Sequence, residues 1–140
     1  MLTKLRKHNI TIIVSTPYMD EAIRCDRVAL IQDGKILAID TPGKIREGFT
    51  RKLFTVKASE KYKLITTLRK YPGTITAFPF GDSVHVTFKN DTIEPSIYTF
   101  LNKEGIDNVE INESKAGIED RFLELMDNDP AAGQNISQTV

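Results

Sequence analysis

A single cysteine, Cys25, rules out an intrachain disulfide and any metal site built from thiolates. Net charge is equally scarce. The 19 basic residues balance 19 acidic ones, so no global field draws the chain to nucleic acid or to an anionic membrane. Basic runs interleaved with aromatics are missing too, and no nucleic-acid partner is expected. No run of about 18 apolar residues is available to span a membrane, and "MLTKLRKHNI" lacks the long apolar core of a secretory signal. Glycine is absent where a phosphate cradle would need it. Gly34-Lys35 and Gly43-Lys44 are followed by Ile36 and Ile45, with no glycine five residues upstream of either, so there is no P-loop. Internal repeats are lacking as well.

What is present is ordinary for a globular chain: 140 residues, 40% hydrophobic and 27% charged, enough for one medium domain or for a small domain plus a piece of another. Met1 to Lys7 reads as the last turns of a helix, with Leu2 and Leu5 on one face, and Asn9 breaks it. "ITIIVS" (Ile10 to Ser15) is a β-branched run of the kind found in a strand covered on both faces. Thr16 is then expected as a helix N-cap and Pro17 as the first helical residue, with Asp20 and Glu21 complementing the helix dipole up to Arg24. These two carboxylates sit at neighbouring helix positions, about 100° apart, so they form no catalytic dyad. Cys25 is expected to be a small buried hydrophobe.

"RVALIQ" and "KILAID" flank Asp33-Gly34, a strong hairpin signal, and Gly43 to Gly48 is expected to form a short connecting helix. From Arg51 the pattern changes. A strand "KLFTVKA" precedes a helix from Glu60 to Tyr71 that is stopped by Pro72-Gly73. "TITAFPF" and "SVHVTFK" form two strands joined at Gly81-Asp82. Val84, Val86 and Phe88 alternate there with Ser83, His85 and Thr87, which predicts one buried face and one wet face. A helix after Asp91-Thr92, with Ile93, Ile97, Phe100 and Leu101 on one stripe, leads to the strand "DNVEINE". This β-α-β-β-α-β order over roughly sixty residues is the ferredoxin-like arrangement. One more helix is expected from Ile118 to Met126, and the remainder to 140 has no periodicity, as in a disordered tail. His8 and His85 lack metal-ligand spacing with each other or with Cys25, and both are expected as ordinary surface or strand histidines. No metal site and no active site follow from local chemistry.

The continuous text "IIVSTPYMDEAIRCDRVALIQDGKILAIDTP" (Ile12 to Pro42) resembles the C-terminal end of the ATP-binding subunit of ABC transporters. That family runs strand, Ser-Thr-His, a short helix with Glu-Ala, Asp-Arg, a Gly-centred hairpin, then Thr-Pro or Ser-Pro. Ser15-Thr16, Met19, Glu21-Ala22, Asp26-Arg27, Gly34-Lys35 and Thr41-Pro42 stand at the corresponding places. The rest is similar to the small domain that follows the ATPase core in bacterial exporters of drug, antibiotic or polysaccharide type. There Gly117-Ile118-Glu119-Asp120-Arg121-Phe122-Leu123 resembles a closing "Leu-Glu-Asp-Val-Phe-Leu" phrase.

The resemblance implies an α+β chain: the end piece of an α/β nucleotide-binding domain (1–48), a ferredoxin-like βαββαβ accessory domain (49–127) and a disordered tail (128–140). It implies that the switch histidine, which reaches the γ-phosphate of ATP in the family, is replaced by Pro17, which offers neither a hydrogen-bond donor nor a proton. The P-loop, signature and Walker B elements are not in this sequence, so the chain alone is expected to bind no cofactor and to be inactive, although the full-length family uses ATP and Mg. Implied partners are a second ATP-binding subunit and a membrane permease. Implied location is cytoplasmic, peripheral to the inner face of the cell membrane. Self-association is expected through the first forty residues, where the apolar run at Ile10 to Val14 lacks strand neighbours. A free-standing small-molecule-sensing or dimerisation module is the alternative.

Overall fold

The computed structural model describes residues 2–128, so all but the first residue of the tail expected at 128–140 lies outside the described residues. The chain opens with α1 (Leu2–Leu5) and a 3-10 turn (Arg6–His8), ended by Asn9 in the left-handed region at φ 55°. The expected strand over Ile10 to Ser15 does not form. β-branched residues favour extended backbone but become a strand only where a neighbour takes up their N–H and C=O groups. No described segment pairs with this one, and Ile13 stands 92% exposed.

The next helix, α2 (Met19–Ala22), starts later than expected. Thr16 Oγ1 accepts from the Tyr18 N–H at 3.0 Å, closing a side-chain turn over Pro17. Tyr18, still extended at φ −94° and ψ 113°, is the N-cap residue. Thr16 and Pro17 therefore lead into the helix without capping or starting it. Cys25 is exposed rather than buried, because α2 turns only Ala22 inward and the chain leaves it through an exposed turn.

The hairpin forms as expected: β1 (Val28–Gln32) pairs antiparallel with β2 (Lys35–Asp40). Asp33 (φ 49°) and Gly34 (φ 75°) both take the positive φ that a two-residue turn needs. Thr41 caps α3 (Pro42–Glu47) through its hydroxyl, with Pro42 at the first position where its missing N–H costs nothing.

From here β3 (Leu53–Lys57), α4 (Lys61–Lys70), β4 (Thr74–Phe80), β5 (Ser83–Phe88), α5 (Ser96–Lys103) and β6 (Glu110–Ser114) follow in the predicted order. The strands assemble as β4-β5-β3-β6, every neighbour antiparallel. Each helix thus links two strands with a third inserted between them, the ferredoxin-like topology. The core lies between one sheet face (Phe54, Val56, Ala77, Val84, Val86, Phe88, Ile111) and the two helices (Leu64, Leu68, Ile97, Leu101). Tyr71 meets Phe88 edge-on at 6.4 Å and Phe100 at 5.3 Å, filling the gap between sheet and α5.

The last helix, α6 (Ile118–Asp127), explains a departure at β5. The face holding Ser83, His85 and Thr87, expected to be wet, is buried, and all six residues of β5 are inaccessible. The reason is that α6 lies over it: Asp120 reaches His85 from above. The helix has two working faces. Ile118, Phe122 and Leu125, at i, i+4 and i+7, join Leu30 and Ile45 in a second small core. Asp120, Glu124 and Asp127 repeat the same spacing on the other side, toward the back of the sheet. Among the described residues no helix is long and apolar enough to cross a membrane.

Candidate functional site

The position singled out by sequence, Pro17, lies on an exposed bend ahead of α2. Asp20 and Glu21 follow on exposed positions of α2's first turn, where their charges suit the helix N-terminus. No side chain that donates to phosphate is gathered around Pro17 by any hydrogen bond or ion pair of the described residues. His8 is exposed and remote in sequence from the second histidine. The structure brings none of these residues together.

It assembles a polar site elsewhere, around the histidine that sequence spacing passes over. His85 is 7% exposed, and its Nδ1 lies 2.6 Å from Asp120 Oδ1. The other carboxylate oxygen of Asp120 accepts the Gly117 N–H at 2.7 Å. A single buried carboxylate therefore caps α6 and fastens it to β5. Accepting from both groups fixes the imidazole tautomer: Nδ1 carries the proton that Asp120 receives, and in the neutral ring Nε2 is a bare acceptor. The ring stacks on Phe80 at 4.0 Å with planes 15° apart, which locks its orientation. Nε2 has no hydrogen-bond partner among the described residues.

His85 lines a cavity of about 260 Å³ between the back of the sheet and α6. Below it Thr76 and Thr87, cross-strand neighbours, share a 2.7 Å hydroxyl hydrogen bond. Phe49 and Phe78 supply apolar walls, and Asp120, Glu124 and Asp127 descend along α6. Glu124 is neutralised by Arg121 Nη1 at 2.5 Å. Arg121 is also packed against the end of α3: a Cβ on Gly48 would fall 2.9 Å from its Nε. Among the described residues only one cation, Arg51, lines the cavity against the three carboxylates.

A nucleotide triphosphate does not fit this donor set. Phosphates are held by converging backbone N–H groups and several cations, and the charged lining of this cavity is three carboxylates and one arginine. No group of three or more His, Cys, Asp or Glu that could hold a metal ion occurs among the described residues.

The signal that could have identified His85 was the i, i+4, i+7 repeat of acids on α6, out of phase with its apolar repeat. A helix with two such stripes has two surfaces to face. The acidic one needs a polar counterpart.

No family model matches the chain. It is 26% identical over 128 residues, 90% of its length, to the probable multidrug ABC transporter ATP-binding protein YbhF of Escherichia coli (strain K12). The same figures hold for the protein of that name from Shigella flexneri. The chain spans 22% of the length of these curated relatives. It is thus distantly similar to an ABC transporter ATP-binding protein.

Proposed function

We propose that the chain is the C-terminal part of the ATP-binding subunit of an ABC exporter, with residues 1–48 ending the nucleotide-binding domain and 49–127 forming an accessory domain. The observation that carries this reading is the similarity over 90% of the chain to ATP-binding proteins of such transporters. The surface of the first region supports it. Ile10, Ile13 and Val14 are exposed, and so are Ile31, Ile36 and Ile39 on the uncovered face of the β1–β2 hairpin. Side chains of this kind belong against other protein. In this reading the remaining nucleotide-binding domain covers them, and the assembled subunit works with a second ATP-binding subunit and a membrane permease at the inner face of the membrane. The accessory domain contributes dimer contact or regulation.

ATP and Mg are held by residues outside this chain, and none of its own residues is suited to take them. Pro17 takes the place of the switch histidine, so this segment gives the γ-phosphate no side-chain donor. The test has two parts. The isolated chain is expected to bind Mg-ATP no better than millimolar by isothermal titration, and micromolar binding overturns the reading. In a full-length parent, Pro17→His is expected to raise steady-state ATPase activity by about a hundredfold, the value of one oxyanion-type hydrogen bond worth about 3 kcal/mol. An unchanged rate in the folded variant removes Pro17 from the reading.

The alternative, a small-molecule-sensing module, draws on the cavity around His85.

A further inference from the structure

Two charged side chains that line the cavity, Arg51 and Asp127, have no partner among the described residues. Arg51 leads into β3 and Asp127 is the last residue of α6; both line the cavity and both are exposed. Neither makes a hydrogen bond or an ion pair among the described residues. Both belong to the lining of one cavity of about 260 Å³ and do not meet in an ion pair. The floor between them is built and oriented. His85 has committed Nδ1 to Asp120, and in the neutral ring Nε2 is left as an acceptor. Of the Thr76 and Thr87 hydroxyls, one spends its proton on the other, leaving a second proton to donate. Phe49 and Phe78 line the same space with apolar surface.

We propose that this groove binds a free α-amino acid with an apolar side chain, its ammonium toward Asp127 and His85 Nε2 and its carboxylate toward Arg51. The zwitterion supplies what each free group lacks: an anion for the one unpaired guanidinium, N–H donors for the unpaired carboxylate and the bare imidazole nitrogen. Asp120 adds negative potential at the ammonium end, while Glu124 is paired with Arg121. A purely anionic ligand would face three carboxylates with a single arginine. A simple amine would leave Arg51 unused. The apolar side chain of the ligand would lie against the two phenylalanines, in a space of about 260 Å³ that is large enough for an amino acid. Bound there, the ligand touches the acidic face of the helix whose apolar face holds Leu30 and Ile45, so occupancy stiffens the link between the hairpin and the sheet. The binding assignment is independent of the transporter reading, because none of the residues that line the groove precedes Phe49.

Isothermal titration of the full chain with leucine, valine, methionine and phenylalanine tests it, with the amide and the N-acetyl derivative of each as controls. At least one free amino acid is expected to bind with a Kd between micromolar and low millimolar. The amide, lacking the carboxylate, and the N-acetyl form, lacking the ammonium, are expected to bind about tenfold or more weaker. Arg51→Gln and Asp127→Asn should each weaken binding by about tenfold without moving the unliganded melting temperature, since both side chains are exposed. The proposal is overturned if no free amino acid saturates the chain below about 10 mM. It is equally overturned if the amide binds as well as the acid, which would make the groove an amine site, or if both variants bind like the parent.

Discussion

The two regions of this chain dispose of their apolar side chains in opposite ways. Between Leu53 and Ser114, thirteen buried apolar residues close one continuous core, so that region carries its own stability. The small core beside the hairpin holds three, Leu30, Ile45 and Ile118, and the last of these is lent by α6. Its other apolar residues face outward: Ile10 is 51% exposed, Ile36 61% and Ile13 92%. The ferredoxin-like unit closes a core among its own elements, and the hairpin region leaves large apolar side chains exposed. Composition does not reveal this difference, since both regions are rich in isoleucine, valine and leucine. It lies in whether an alternating or β-branched run finds a second layer within the same chain.

The sharpest test of that contrast is self-association. Covering four of the exposed β-branched side chains is worth roughly 6–12 kcal/mol at about 1.5–3 each, before ordering costs. The unpaired backbone of Ile10 to Val14 adds a template for pairing with another copy. The chain is expected to dimerise at tens of micromolar in sedimentation, and Ile13→Glu combined with Ile36→Lys to return it to a monomer. A parent chain that is already monomeric would mean that single exposed residues are tolerated and the region needs no cover.

Next in size is the cost of core truncation. Leu68 is fully buried between α4 and the sheet, and Leu68→Ala is expected to lower stability by about 2–5 kcal/mol in urea unfolding. Ile13→Ala should cost less than about 0.5 kcal/mol in the monomer. Equal costs would erase the distinction between the regions.

The sequence revealed the packed region well because local signals and global fold agree there. Gly81-Asp82 turns between two alternating strands, Pro72 and Gly73 stop α4, and Leu64 and Leu68 share the face that meets the sheet. It failed where an outcome depends on something beyond the segment. Ile10 to Ser15 has strand propensity and no ladder. Thr16 has the chemistry of a cap and spends it on Tyr18, one residue too early. Cys25 has the character of a core residue and lies on a turn with no core beneath it. His85 was missed for the complementary reason. Its alternation on β5 predicts a solvated face, and only the arrival of α6, some thirty residues later in the chain, converts that face into a closed polar site.

The join between the regions is the third test. Asp120 serves two donors at once, the His85 ring and the Gly117 N–H. Asp120→Ala strips the acceptor from both while they remain buried or half-buried, and is expected to cost about 1–3 kcal/mol. Amide exchange in α6 should rise more than in α4, because α4 keeps every contact to the main core. A uniform rise would mean that hairpin, helix and sheet unfold as one unit.

The smallest expected effect lies on the surface of the packed region, at the β4–β5 turn. Lys57 Nζ donates to Asp82 Oδ2 at 3.1 Å, and this hydrogen bond, helped by the charges of Lys57 and Lys61, holds the Asp82 carboxyl below the usual carboxylate range. A carboxyl lowered by folding contributes stability above its unfolded value and loses it as pH falls through the lowered folded one. The Asp82 side chain is 81% exposed, so solvent and salt screen most of that contribution. Lys57→Ala should return the Asp82 titration, followed by carboxyl NMR, to the ordinary carboxylate range while leaving stability near pH 7 almost unchanged. A large loss of stability at neutral pH would mean that the sheet depends on its surface charges. The packed region would then owe less to the thirteen side chains of its core than its burial implies.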